Sequence, residues 1–184
     1  QSMKEQRASH DVPHPELDAN GIFRTIIMPH ATDFTRGLPT QEREQLPRLL
    51  AETYRAASRF RLQLYPGVVD TIRHLHPKYH LAIISDGQTA YAVPELNAVG
   101  LSGYFDPIII SGAFGFRKRH ERRLTNALTA MKMEPSEVLF VGNDMYRDVY
   151  GAQRLGMNTV FCKSNQGMVE KERVKPDYII YNFP

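Results

Sequence analysis

The chain has 184 residues, the size of one domain with room for a small helical appendage. Its 23 Lys+Arg against 20 Asp+Glu leave a net charge of +3, too mild to argue for nucleic acid or membrane as a partner. With 42% hydrophobic and 23% charged residues, a lone cysteine (Cys162) and no apolar run near the roughly 18 residues of a membrane span, the composition points to a soluble, cytoplasmic protein without disulfides or a multi-cysteine zinc site.

Gln1-Ser2-Met3 reads as the remnant of a cleaved tag and is set aside. Residues 4–64 carry a helical pattern and no strand, and are expected to form a cap. Asp18 is placed to cap a helix whose Ile22, Phe23, Ile26 and Ile27 share one apolar face, and Pro29 should stop it. A turn-rich stretch over 31–40 leads to a second helix, opened near Thr40, with Leu46, Leu49, Leu50, Tyr54 and Ala57. Pro47 is expected in its first turns, where a missing N–H costs nothing.

After Tyr65-Pro66-Gly67 the period changes. Short apolar strands are predicted at 80–85, 107–111, 138–141, 159–162 and 178–180. Helices are predicted at 68–75, 90–99, 122–131 and 145–155, with Gly100 and Gly156 closing two of them. Continuous apolar strands alternating with amphipathic helices mean an α/β body over 65–184, a doubly wound parallel sheet covered on both faces.

In such sheets, chemistry gathers beyond the carboxyl ends of the strands. That rule selects Ser85-Asp86-Gly87 after the first strand, Ser111-Gly112 after the second, and Gly142-Asn143-Asp144 after the third. Asp144 and Asp148 lie one turn apart at the start of a helix. Their oxygens suit Mg²⁺, which takes one or two carboxylates, waters and a substrate phosphate; equally, both acids favour a helix N-terminus. Ser85 and Gly87 offer hydroxyl and N–H donors to a phosphoryl oxygen, or an ordinary cap. Lys118, before a helix, can neutralise a phosphoryl group or stand as a solvated lysine.

Taken in order, "LAIISDGQ", "GFRK" and "VLFVGNDMYRDVYGAQRLGM" resemble the second, third and fourth motifs of the haloacid dehalogenase (HAD) superfamily. The resemblance covers residues 65–184 and implies a HAD-like Rossmannoid fold and a Mg²⁺-dependent phosphatase-type hydrolase working through an aspartyl-phosphate. It implies that Ser85, Asp86 and Gly87 bind a phosphorylated small-molecule substrate, that Lys118 steadies the nucleophile, and that Asp144, Asp148 and Asn143 hold the Mg²⁺. It also implies that the helices before Tyr65 form the cap.

Three departures stand out. Asn143 follows Gly142 where the fourth motif often has Asp, leaving Asp144 as the carboxylate ligand and Asn143 to coordinate through its amide oxygen. Lys118 is followed by Arg119 rather than proline. No D-x-D occurs anywhere, so the first motif with its nucleophile and acid/base aspartates is missing from the chain. The chain then reads as beginning inside the cap, its nucleophile either upstream or lost, and by itself it is expected to be inactive. A catalytically inactive HAD-like binding or scaffolding module is the alternative.

By the resemblance, strands 80–85 and 138–141 flank the missing strand. An unmade buried hydrogen bond costs about 1–3 kcal/mol. The gap is therefore expected to close by direct pairing of the two strands, or to be filled by another segment. The basic run Arg117–Arg123 reads as a solvated helix start, His10, His14 and His30 as packing or surface residues, and Cys162 as an inert strand thiol.

Overall fold

The computed structural model describes residues 18–114 and 120–183. In chain order the elements begin with helices α1 (Ala19–Ile27), α2 (Asp33–Gly37), α3 (Thr40–Ser58) and α4 (Val68–Leu75), then β1 (Ile83–Ser85), α5 (Thr89–Ala98) and β2 (Ile108–Ile110). There follow α6 (His120–Met131), β3 (Leu139–Gly142), a π-helical turn (Met145–Tyr150) running into α7 (Gly151–Gln153), β4 (Asn158–Cys162) and β5 (Tyr178–Ile180). Among the described residues no helix is long and apolar enough to cross a membrane.

These residues form two compact units. One takes 18–63, 85–102 and 110–114; the other takes 64–84, 103–109 and 120–183. The first therefore draws in segments that the sequence pattern assigned to the α/β body, and packing explains why. Ala51 on α3 and Ala90 on α5 are buried with Ala19, and Phe23 and Tyr91 pack on them. Arg55 donates to Glu95 at 2.7 Å and Arg59 reaches the same oxygen at 3.3 Å. Burial works to raise the Glu95 pKa, but the two guanidinium groups prevail and hold it below the ordinary range.

Two details in this unit correct the sequence reading. Asp18 occupies the position before α1 but makes no side-chain cap; the Ala19 N–H is met instead by Gln88 Oε1 at 3.0 Å. Pro47 lies well inside α3, and it is buried. A mid-helix proline leaves the Arg43 carbonyl without its donor, a cost set against burial of the ring.

The second unit holds a three-stranded parallel sheet in the order β3-β4-β5, in the register Val141↔Val160 and Cys162↔Ile180. Its middle strand buries Thr159, Val160 and Phe161. Leu124, Ala152 and Met157 form a core on which Ile84, Leu128, Val138, Phe140 and Leu155 pack. Asp177 ties the strand entries together, accepting from both the N–H and the hydroxyl of Thr159 at 2.8 Å.

Among the described residues β1 pairs only with β2, in a separate sheet. The single continuous sheet expected from the sequence is thus divided, and among the described residues no strand pairing joins β1 to β3 and no strand lies between them. Direct pairing of β1 with β3 is thus not seen among the described residues, and residues 1–17, a segment that could fill the gap, lie outside them. β3 leaves Leu139 54% and Val141 50% exposed.

Candidate functional site

Strand β3 is apolar up to Gly142, and the chain turns there through Asn143 and Asp144 into the π-helical turn. Asp144 is extended (φ −123°, ψ 115°), as a helix-capping residue should be, and is 5% exposed. Its Oδ1 accepts the backbone N–H groups of Tyr146 at 3.0 Å and Arg147 at 2.7 Å. Its Oδ2 accepts from the Arg147 guanidinium at 3.0 Å and from the Met168 N–H at 3.1 Å. Burial acts to raise the Asp144 pKa, but the N–H groups of Arg147 and Met168 and the Arg147 charge outweigh it and hold the carboxyl below its usual range.

A carboxylate has about four lone-pair positions, and Asp144 spends them on protein donors. The expectation that Asp144 is the carboxylate ligand of a metal gives way, in this geometry, to its other reading as a helix cap.

Asp148 follows one turn later and folds back over the strand end. Its Oδ2 accepts the N–H of Asn143 and of Asp144, each at 2.9 Å. Gly142 makes this possible, since a Cβ there would collide with the Asp148 side chain. Asn143 is brought beside Asp148 by the same turn. Its Nδ2 donates to Ser164 Oγ at 3.1 Å and toward the Gln166 carbonyl at 3.4 Å, while its Oδ1 accepts no hydrogen bond among the described residues.

Asn143, Asp144 and Asp148 are thus brought together in one unit. Ser85, Asp86 and Gly87 belong to loop residues of the other, at the end of β1. Among the described residues Ser85 Oγ makes only a long contact, 3.4 Å, to the Asp86 carbonyl. The Gly87 N–H, expected to face a phosphoryl oxygen, donates instead to Ser111 Oγ at 2.9 Å, and the Gly87 carbonyl accepts the Gly112 N–H at 2.8 Å. Asp86 is exposed. Lys118 lies outside the described residues, and among those described no three His, Cys, Asp or Glu side chains converge as a metal cluster.

The sequence reading missed Arg147, Ser164, Met168 and the side-chain role of Ser111. Ser164, Met168 and Ser111 act by hydrogen-bonding a loop distant in sequence, for which no spacing rule exists, whereas Arg147 pairs with Asp144 at the i,i+3 spacing of a helical turn and was legible from it. Ser111 was within reach: it ends a predicted strand and is fully buried, and a buried hydroxyl must find partners.

The haloacid dehalogenase-like hydrolase signature matches residues 12–162. The chain belongs to that family. It is 27% identical over 172 residues to the glyceraldehyde 3-phosphate phosphatase of Methanothermobacter thermautotrophicus, covering 89% of this chain and 76% of that protein. It is 31% identical over 128 residues to the glyceraldehyde 3-phosphate phosphatase of Pyrococcus furiosus, covering 67% of this chain and 52% of that protein. The chain thus spans about half the length of this second relative. Among solved structures, a HAD phosphatase from Thermococcus onnurineus superposes with a TM-score of 0.60 at 25% identity, covering 88% of this chain and 74% of that one. The haloacid dehalogenase-like fold accounts for the alternation of strands and helices after Tyr65.

Proposed function

We propose that this chain carries the phosphate- and metal-handling residues of a Mg²⁺-dependent phosphatase acting on a small phosphorylated metabolite. The observation that carries the reading is that Asp148, which accepts the Asn143 backbone N–H, shares the end of β3 with an Asn143 amide oxygen that no donor among the described residues occupies. Hard oxygen donors of this kind, few in number, suit an ion that keeps several waters and takes the rest from phosphate. Asp148 and Asn143 would hold Mg²⁺, and Asp144 would hold the turn that presents them. When bound, the ion would polarise a phosphoryl oxygen and offset charge developing there.

By the motif resemblance, the Ser85 hydroxyl donates to the phosphoryl group, and its weak contact to the Asp86 carbonyl is compatible with that task. The Gly87 loop is braced by Ser111 and shapes that position rather than donating to it. Asp86 takes part in substrate binding, Lys118 would neutralise the nucleophile, and residues 4–64 would serve as a cap that selects the substrate. The relatives' names, glyceraldehyde 3-phosphate phosphatases, set the expected size of that substrate. The reaction would pass through an aspartyl-phosphate that water hydrolyses. The sequence offers no D-x-D to supply the nucleophile. That absence favours one second reading, an inactive HAD-like module that binds a phosphorylated ligand without turning it over.

Calorimetric titration of the chain tests both. Mg²⁺ and a small phosphomonoester should each bind, with Asp148→Asn losing the ion and Ser85→Ala losing the ester. Ester binding with no response to Mg²⁺ selects the inactive module. Binding of neither sinks both.

A further inference from the structure

An asparagine side chain offers a ligand either an oxygen or an NH₂ group, and its neighbours decide which. Asn143 faces Ser164 Oγ at 3.1 Å and the Gln166 carbonyl at 3.4 Å. A carbonyl oxygen can only accept. Ser164 Oγ donates its proton to that same carbonyl at 3.1 Å and accepts the Gln166 N–H at 3.2 Å. With its proton spent on Gln166, Ser164 also faces Asn143 as an acceptor. Both neighbours demand the amide nitrogen, so the amide oxygen is turned away from them.

The segment making this demand is itself held in place. Met145 donates its N–H to the Met168 carbonyl at 2.7 Å, and the Met168 N–H returns to Asp144 Oδ2. Gly167, at φ +80°, brings its backbone against the Asn143 carbonyl, where a Cβ would collide. The 164–168 segment therefore docks on the Asn143–Asp144 turn through backbone and side chain together.

We infer that Ser164 is a positioning residue: with the Gln166 carbonyl it fixes the Asn143 amide so that its oxygen, not its NH₂ group, is offered to a cation. The inference rests on the proposed Mg²⁺ site. It also gives a reason for asparagine where the fourth motif often has aspartate. A carboxylate at 143 would set an anionic oxygen against the Gln166 carbonyl, and Ser164 could meet it only by giving up its own hydrogen bond to that carbonyl. An amide donates on that side and coordinates from the other.

Two measurements test it, one without metal. In the metal-free chain, NMR of the Asn143 side-chain NH₂ should show protected, well-separated proton signals. These should collapse toward free-amide values in Ser164→Ala and return in Ser164→Thr, which keeps the hydroxyl and controls for folding. In calorimetry, Ser164→Ala should weaken Mg²⁺ binding about tenfold, the usual scale for a residue orienting a metal ligand. Asn143→Asp should not bind Mg²⁺ more tightly than wild type. NH₂ signals unmoved by Ser164→Ala overturn the positioning role, whatever Mg²⁺ does. Tighter binding by Asn143→Asp overturns the account of the asparagine. If the NH₂ signals respond but wild type binds no Mg²⁺, the orientation is supported and the metal reading falls.

Discussion

Arg147 binds back onto Asp144: its Nε and Nη2 each lie 3.0 Å from Oδ2, while its own backbone N–H reaches Oδ1 at 2.7 Å. One residue thereby caps the turn with its main chain and closes the cap with its side chain. The Met168 N–H joins the same oxygen from a distant loop, so a single carboxylate fastens the turn that carries Asp148 to the segment that orients Asn143.

Replacing Asp144 with alanine removes a buried acceptor and leaves several N–H groups without a partner. A lost cap and unsatisfied buried donors together should cost about 2–3 kcal/mol. Urea unfolding of Asp144→Ala against wild type measures it. A loss under half a kcal/mol would show that the cap is dispensable.

The depressed Asp144 pKa makes stability depend on acid pH. Its folded pKa lies below its unfolded value, so the unfolded chain binds the proton first as pH falls. The stabilisation is complete at neutral pH and is lost from about pH 4 downward. Asp144→Asn should therefore lose less stability than wild type between pH 6 and pH 3, read from urea midpoints at each pH. Parallel curves for the two proteins would count against this carboxylate as the source.

Mg²⁺ at ten times its Kd should raise the melting temperature of wild type by ~3–5 °C through mass action. Asp148→Asn should abolish most of that rise. Gly142→Ala should reduce it as well, because a Cβ there collides with the Asp148 side chain, its carboxylate oxygen included, and displaces it while leaving its chemistry unchanged. Equal shifts in all three proteins would remove Asp148 from the proposed site.

The 184-residue chain should release no phosphate from a generic phosphomonoester, with or without Mg²⁺. Its groups can bind and polarise, but a covalent route needs a positioned nucleophile and the sequence has no D-x-D. Turnover abolished by Asp86→Asn would make Asp86 the nucleophile and overturn this prediction.

Elements whose signal is local were legible from the residues. Val68–Leu75 has one apolar face and Gly67 before it, and Tyr178–Ile180 is an isolated apolar run; both appear at the predicted bounds. The 80–85 strand shrank to Ile83–Ser85, and the predicted 145–155 helix became a π-helical turn, since neither pairing partners nor helix pitch is written in hydrophobic spacing. The motif order led to Asn143, Asp144 and Asp148 but not to their division of labour. That depended on Arg147 and Met168 reaching Asp144, and on Ser164 and Gln166 reaching Asn143, across up to 24 positions. Grouping 85–102 with the helical unit likewise needed Glu95 to meet Arg55, a contact 40 residues apart.

The exposed side chains of β3 have a consequence for handling the protein. Leu139 and Val141 are each about half exposed, and Leu139-Phe140-Val141-Gly142 carries no charge to discourage association. A second chain packed on these two side chains removes both from water in one step. The protein should therefore self-associate as its concentration rises, well before its thermal stability limits it, and Val141→Lys should extend the working range in light scattering.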